Sequence, residues 1–197
     1  MSERKGSVTR ETKETRITVA WALDDGRNTD VQTGLPFLDH MLEAVARHGH
    51  FGLEVKASGD LEVDEHHTIE DLGLTMGKAL RDALKDKRGI VRFGNAVIPM
   101  DEALARVVID VSGRPHLSYR AEMPDRLAGG INVRLFREFF QGLVNNSGLT
   151  VHIDLLAGEE VHHSLEAIFK AFSRALAEAV RIDPAITDVP STKGSLD

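Results

Sequence analysis

Cysteine is absent from the 197 residues, so neither a disulfide nor a thiolate-held metal can organise this chain. Any metal must be held by imidazole and carboxylate. There is no basic surplus either. The formal net charge is −7, whereas a phosphate-backbone binder carries a basic stripe, so nucleic acid is excluded as a partner class. No apolar run approaches the ~18 residues that span a bilayer. The start, Met1-Ser2-Glu3-Arg4-Lys5-Gly6, lacks an apolar signal region. These absences predict a cytoplasmic protein without a membrane partner. Low-complexity stretches and long linkers are missing too. What remains is ordinary for a cored protein, 42% hydrophobic and 28% charged, apart from nine histidines of which four stand in adjacent pairs.

Those pairs are His66-His67-Thr68-Ile69-Glu70 and His162-His163-Ser164-Leu165-Glu166. Residues three and four apart share a helical face, so each motif sets nitrogen and oxygen ligands on one turn. Neighbouring histidines sit about 100° apart on a helix, so each pair suits two different metal ions better than one. The bland alternative is a solvated helix start, with Asp64-Glu65 and Glu159-Glu160 favoured by the helix dipole. It competes well against a single copy and poorly against two copies 162 − 66 = 96 residues apart.

The repeat extends further. Phe37-Leu38-Asp39-His40-Met41 matches Leu135-Phe136-Arg137-Glu138-Phe139 at an offset of 98, and Phe51–Val55 matches Leu149–Ile153 at the same offset. Upstream, Ile17–Trp21 is aligned with Arg106–Asp110. Apolar residues recur at helical steps in Leu35–Val45, Ile69–Leu84, Phe136–Leu143 and Leu165–Leu176. Alternation and β-branching mark Arg16–Leu23 and Leu149–Ile153 as strands. The expected fold class is α+β, internally duplicated with pseudo-twofold symmetry. Each half reads strand-strand-helix-strand-helix, a sheet covered by helices. Residues 1–197 are expected to form a single domain of two repeats, about 8–98 and 99–182, with a polar C-terminal tail over 183–197.

His40 and Glu138 occupy corresponding positions, and both residue types can ligate metal. The candidate ligands are therefore His40, His66, His67, Glu70, Glu138, His162, His163 and Glu166, which pseudo-symmetry divides into four for each of two metals. A histidine and carboxylate set without thiolate suits manganese, iron, zinc or nickel. His48 is a candidate lining residue at the end of the same helix as His40. Surface or core roles suit His50, His116 and His152 better. Arg92 and Arg114, at strand ends or turns, can bind phosphate in bidentate fashion. Lys170 lies two turns past His162, and Ser191-Thr192-Lys193-Gly194 offers hydroxyls, amides and an ammonium. Each of these basic residues alone reads as an ordinary solvated charge, and the tail as mobile unless a ligand or neighbouring subunit holds it.

Taken together, Arg10–Thr15, Phe37–Met41, Asp64–Asp71, Arg92-Phe93-Gly94, His162–Glu166 and Pro190–Gly194 make the chain resemble the imidazoleglycerol-phosphate dehydratases from end to end. Many members of that family have histidine where Glu138 stands. The resemblance implies two Mn²⁺ ions per active site and a 24-subunit shell with sites between subunits. It also implies a histidine-biosynthesis reaction, the dehydration of erythro-imidazole-glycerol phosphate to imidazole-acetol phosphate. Metal binding to both ring nitrogens would favour an imidazolate able to expel the hydroxyl on the ring-bearing carbon. Glu14, Glu70 and Glu166 are the implied catalytic carboxylates, Glu14 moving the second proton. Substrate contacts are implied for Glu14, His40, His48, His66, His67, Glu70, Arg92, Arg114, His162, His163, Lys170, Ser191, Thr192 and Lys193, with the basic residues taking chiefly the phosphate. The competing readings are a dinuclear metallohydrolase acting on a phosphorylated small molecule and a metal-storing shell, which would not need the basic set.

Overall fold

The computed structural model describes residues 3–124 and 126–196. The first half runs β1 (Lys5–Glu11), β2 (Thr15–Ala22), β3 (Thr29–Gln32), α1 (Pro36–Gly49), β4 (Gly52–Gly59) and α2 (His66–Leu84). The second runs β5 (Phe93–Met100), β6 (Ala103–Asp110), β7 (His116–Arg120), β8 (Leu127–Ala128), β9 (Ile131–Asn132), α3 (Leu135–Ser147), β10 (Thr150–Ala157) and α4 (Val161–Val180). The sheets are ordered β1-β2-β4-β3 and β5-β6-β10-β7, and among the described residues the β8-β9 hairpin has no counterpart in the first half. In both sheets the last pair is parallel and the others antiparallel.

The α+β duplication is as expected, with two corrections. Each half carries a third strand before its first helix, β3 or β7, which the pattern strand-strand-helix-strand-helix omitted. Four residues of β3 with only Val31 buried give too short an alternation to see. The division at 98 and 99 also falls inside β5, so the halves part in the segment between α2 and β5.

Strand pairing corrects the alignment of the β2 and β6 segments as well. Val19 faces Val55 across β2/β4, and Val107 faces Ile153 across β6/β10. Since 153 − 55 = 98 while 107 − 19 = 88, the hairpins repeat at 88, not at the 89 of Ile17 against Arg106. The buried faces agree, with Ile17, Val19 and Trp21 matching Ala105, Val107 and Ile109. A one-residue slip would turn every side chain to the other face.

The helices cover their own sheets, α2 on β1 and β2 and α4 on β5 and β6, while α1 against α4 and α2 against α3 join the halves. Close backbone approach sets these distances. A Cβ on Gly6 would lie 2.1 Å from the Ala79 carbonyl oxygen, and one on its counterpart Gly94 2.0 Å from that of Ala175. On α2, a Cβ at Gly73 would lie 2.3 Å from the Phe139 oxygen of α3. The core between the layers holds Phe136, Phe139, Phe140, Phe169 and Phe172 in one aromatic cluster. Trp21 meets Phe51 edge-on in the first half. No helix among the described residues is long and apolar enough to cross a membrane.

Candidate metal centre and active site

α1 starts at a proline, whose missing N–H costs nothing in the first turn, and α4 starts at Glu160, whose carboxylate accepts the His163 backbone N–H at 2.8 Å. Packed together, the two helix starts bring His40, His162 and Glu166 to one point, with one ligand atom from each within 4.8 Å of the others. His162 Nε2 is 3.2 Å and His40 Nε2 3.7 Å from the same oxygen, Glu166 Oε2. Ligand atoms held at 2.0–2.2 Å from one ion lie roughly 3–3.5 Å apart, so this trio fits a divalent cation. Phe37 packs edge-on against His162 with ring centroids 5.1 Å apart and limits its swing.

Glu166 divides its oxygens. Oε2 faces the histidines, while Oε1 accepts from Lys170 Nζ at 2.7 Å. Burial pushes this carboxyl up, but Lys170, His40 and His162 outweigh burial and hold it below the ordinary range. Ionised Glu166 is the form a metal needs. His48 is held down by burial and by the Lys170 charge. Beside His40 and Glu166 opens a cavity of about 780 Å³ that is also lined by Glu43, Arg47, His48 and Lys170, among others.

In the first half, His66 Nε2 lies 3.7 Å from Glu70 Oε2 on α2. Among the described residues no third ligand closes on this pair. Glu138, in the first turn of α3, instead lines a cavity with Tyr119, Glu122 and Arg137. His67 and His163 turn aside. His67 Nδ1 approaches Asp60 at 3.1 Å, and His163 Nδ1 approaches Glu102 at 2.8 Å. Each histidine is pushed up by its carboxylate partner. Glu102 is held at about 2, first by the Glu160 backbone N–H and then by His163.

Of the eight expected ligands, the structure gathers three, pairs two and leaves three apart. Asp60 and Glu102 escaped the sequence reading. The signal for Glu102 was its correspondence with Glu14 at offset 88, hidden by the slip to 89.

Arg92 and Arg114 converge on Asp110. Arg92 Nε donates to Asp110 Oδ1 at 2.8 Å, and Arg114 Nη2 stands 3.9 Å from Oδ2. Arg92 Nη1 also donates to the Pro190 carbonyl at 2.9 Å, which brings the tail carrying Ser191, Thr192 and Lys193 to the same place. The expectation of an untethered tail needs correction. Gly89 N–H bonds the Asp188 carbonyl, Lys87 Nζ bonds the Leu196 carbonyl, and Leu196 is 4% exposed. One buried leucine just beyond the polar stretch anchors the end. Glu14, in the β1–β2 turn, is exposed, makes no side-chain hydrogen bond or ion pair among the described residues, and lies close enough for its charge to act on His67.

With this geometry in hand, comparison with known proteins is decisive. The imidazoleglycerol-phosphate dehydratase family model matches residues 33–176. The chain belongs to the imidazoleglycerol-phosphate dehydratase family. It is 54% identical over 194 residues to the imidazoleglycerol-phosphate dehydratase of Nitrosomonas eutropha, covering 98% of this chain and 100% of the relative. The Thioalkalivibrio sulfidiphilus dehydratase is also 54% identical, over 197 residues and the whole of both chains. The crystal structure of the Staphylococcus aureus dehydratase superposes with a TM-score of 0.83 at 41% identity, covering 91% of this chain and 99% of that one. That of Pyrococcus furiosus gives 0.83 at 39%, covering 96% and 100%. The duplicated sheets and four helices are thus those of a dehydratase of this family.

Proposed function

We propose that the chain is a hydro-lyase of L-histidine biosynthesis that dehydrates D-erythro-imidazole-glycerol phosphate to imidazole-acetol phosphate, with two manganese ions per site. The observation that carries the reading is the convergence of His40, His162 and Glu166, with Lys170 pinning the carboxylate's second oxygen. When bound, the ions supply Lewis-acid polarisation of the imidazole ring and a template for it. The side chains do the rest. His40, His162 and Glu166 hold one ion, and His66, Glu70 and Glu138 are the corresponding set for the other. Arg92, Arg114 and the Ser191–Lys193 tail take the phosphate through charge-assisted bonds. Glu14, exposed and without an ion-pair partner among the described residues, moves the proton on the carbon beside the ring-bearing one.

Geometry favours a site shared between copies. The Arg92 backbone N–H donates to the Ala179 carbonyl near the end of α4, while His162 stands at its start. Seventeen residues at 1.5 Å each separate them by about 25 Å. A ring, three carbons and a phosphate span roughly 10 Å at standard bond lengths. One substrate cannot bridge both ends of α4, so the basic cluster of one copy serves the metal centre of another. This accords with an oligomer, proposed as 24 subunits, in which His67 and His163 complete neighbouring centres.

Incubating manganese-loaded protein with imidazole-glycerol phosphate tests the reaction. Ketone appearing without inorganic phosphate is expected. Phosphate release without ketone would instead establish the dinuclear hydrolase, and no turnover with manganese, iron or zinc would remove the dehydratase reading.

A further inference from the structure

The two hairpin tips, Glu14 between β1 and β2 and Glu102 between β5 and β6, are counterparts at offset 88, yet they are used differently. Glu102 is fully committed. Its Oε1 accepts the Glu160 backbone N–H at 2.9 Å and the Glu159 backbone N–H at 3.4 Å, and its Oε2 meets His163 Nδ1 at 2.8 Å. An ionised carboxylate can only accept, so the imidazole proton sits on Nδ1 and the Nε2 lone pair is left outward. Besides Glu102, two acids act on this ring: the exposed Asp101, 3.8 Å from Nε2 and beyond hydrogen-bond reach, and Glu160, whose carboxylate accepts the His163 backbone N–H at 2.8 Å.

In the first half the same task falls to a different residue. His67 Nδ1 is met by Asp60, at 3.1 Å from Oδ2 and 3.3 Å from Oδ1. Asp60 follows Gly59, and Gly59 and Gly158 are matched because each abuts the hydroxyl two residues past the first histidine, Thr68 or Ser164. From Gly59 to His66 is seven residues, and from Gly158 to His162 four. The longer first-half loop allows Asp60 to fold back onto His67. Its backbone N–H bonds the Glu14 carbonyl oxygen at 3.1 Å, and with the Asp60 carboxylate on His67 the side chain of Glu14 has no hydrogen-bond or ion-pair partner among the described residues, where that of Glu102 is consumed.

We propose that Asp60 and Glu102 are positioning residues that fix His67 and His163 as Nδ1–H tautomers with Nε2 ready for metal, and that this exchange of partner releases Glu14, alone of the two hairpin-tip glutamates, for proton transfer. The duplicated chain thereby becomes chemically one-sided. A metal-ligating histidine depends on the group that holds its other nitrogen, and losing that group lowers metal affinity about 10- to 100-fold. The role of Glu14 rests on the dehydratase reading, whereas the role of the two positioning carboxylates does not.

The test compares the same isosteric change at the two counterparts in the full-length assembled protein. Glu102→Gln keeps an oxygen to accept from Nδ1–H, and is expected to retain turnover within a few-fold. Glu14→Gln removes the proton-transferring group, and is expected to lose at least 100-fold in kcat with unchanged manganese affinity. Glu102→Ala and Asp60→Ala are expected to lower manganese affinity, measured by competition with a chelator, by tenfold or more, while Asp60→Asn restores most of it. In metal-stripped, ¹⁵N-histidine-labelled protein, long-range ¹H–¹⁵N spectra should show His67 and His163 as Nδ1–H forms, lost one at a time in the two alanine variants. Nε2–H tautomers in the unaltered protein, or alanine variants with unchanged affinity, would overturn the positioning roles. Equal loss of turnover in Glu14→Gln and Glu102→Gln would overturn the exchange. The tautomers and affinities need no substrate, so they decide the positioning claim even if imidazole-glycerol phosphate is not turned over.

Discussion

Glu166 shows how neighbours keep one carboxylate ionised, the form that its proposed role as a metal ligand needs. Burial alone would favour the protonated acid, and Lys170 supplies the opposing charge at 2.7 Å. Removing that ammonium in Lys170→Met lets burial prevail, so the Glu166 carboxyl rises and protons compete with metal at higher pH. Metal content titrated against pH should fall off at a less acidic pH in Lys170→Met, while differing little under alkaline conditions. At Glu138 the expected outcome is lower metal occupancy in Glu138→Ala and retained occupancy in Glu138→His, read by metal analysis of the purified protein. Full occupancy in Glu138→Ala would remove this residue from the ligand set.

Asp154 is the residue-scale determinant of the second sheet. On β10 it faces Arg106 of β6 on one side and Arg120 of β7 on the other, and both guanidiniums donate to it. Burial pushes its carboxyl up, but the two arginines hold it below the ordinary value. A depressed folded pKa stabilises above the unfolded value, and that stability is lost as pH falls through the folded one. Because both arginines are about half exposed, Asp154→Asn should cost about 1–2 kcal/mol at neutral pH, and the Tm difference from the unaltered protein should shrink below pH of about 4.

At the scale of elements, the four helices were legible because apolar steps of three and four persist over many residues in each. Two of their starts carry a local signal, Pro36 in the first turn of α1 and the acidic Glu160 before α4, whereas α2 and α3 begin without a side-chain cap. The sheets were harder to read. β3 and β7 pair in parallel with the strand that follows the first helix of their half, a tertiary choice that no local pattern records. In the sequence the β-branched runs of β2 and β6 match at 89 as well as at 88, and only the buried faces select 88, the offset that pairs Glu102 with Glu14. His40, His162 and Glu166 were legible because the duplication made each motif a check on the other. Asp60 was not, because it belongs to a loop whose length differs between halves.

The tail is an element of mixed character, anchored by Leu196 and by the Pro190 carbonyl, with hydroxyls and Lys193 between. Truncation after Val189 removes the anchor and the proposed phosphate donors together. The KM for imidazole-glycerol phosphate should rise and turnover fall, with metal content nearly intact and a stability loss of about 1–2 kcal/mol from the lost leucine burial. Unaltered kinetics in the truncated protein would deny the tail any role at the site.

On the scale of the whole molecule, the consequence of the fold is distance. α4 carries His162 and Glu166 at one end and meets Arg92 at the other, so in the proposed reading a single chain holds two incomplete parts of a site. Heterologous contacts between copies join such parts and generate closed assemblies. The most direct test mixes two variants expected to be inactive, His162→Ala, which lacks a proposed metal ligand, and Arg114→Ala, which lacks a proposed phosphate donor. Dissociated by chelation and reassembled together with manganese, the hybrids should regain dehydration of imidazole-glycerol phosphate, to about one quarter of the unmixed active protein at equal proportions if assembly is random. Hybrids that stay inactive at every mixing ratio, although each variant assembles, would contradict a site built from two copies.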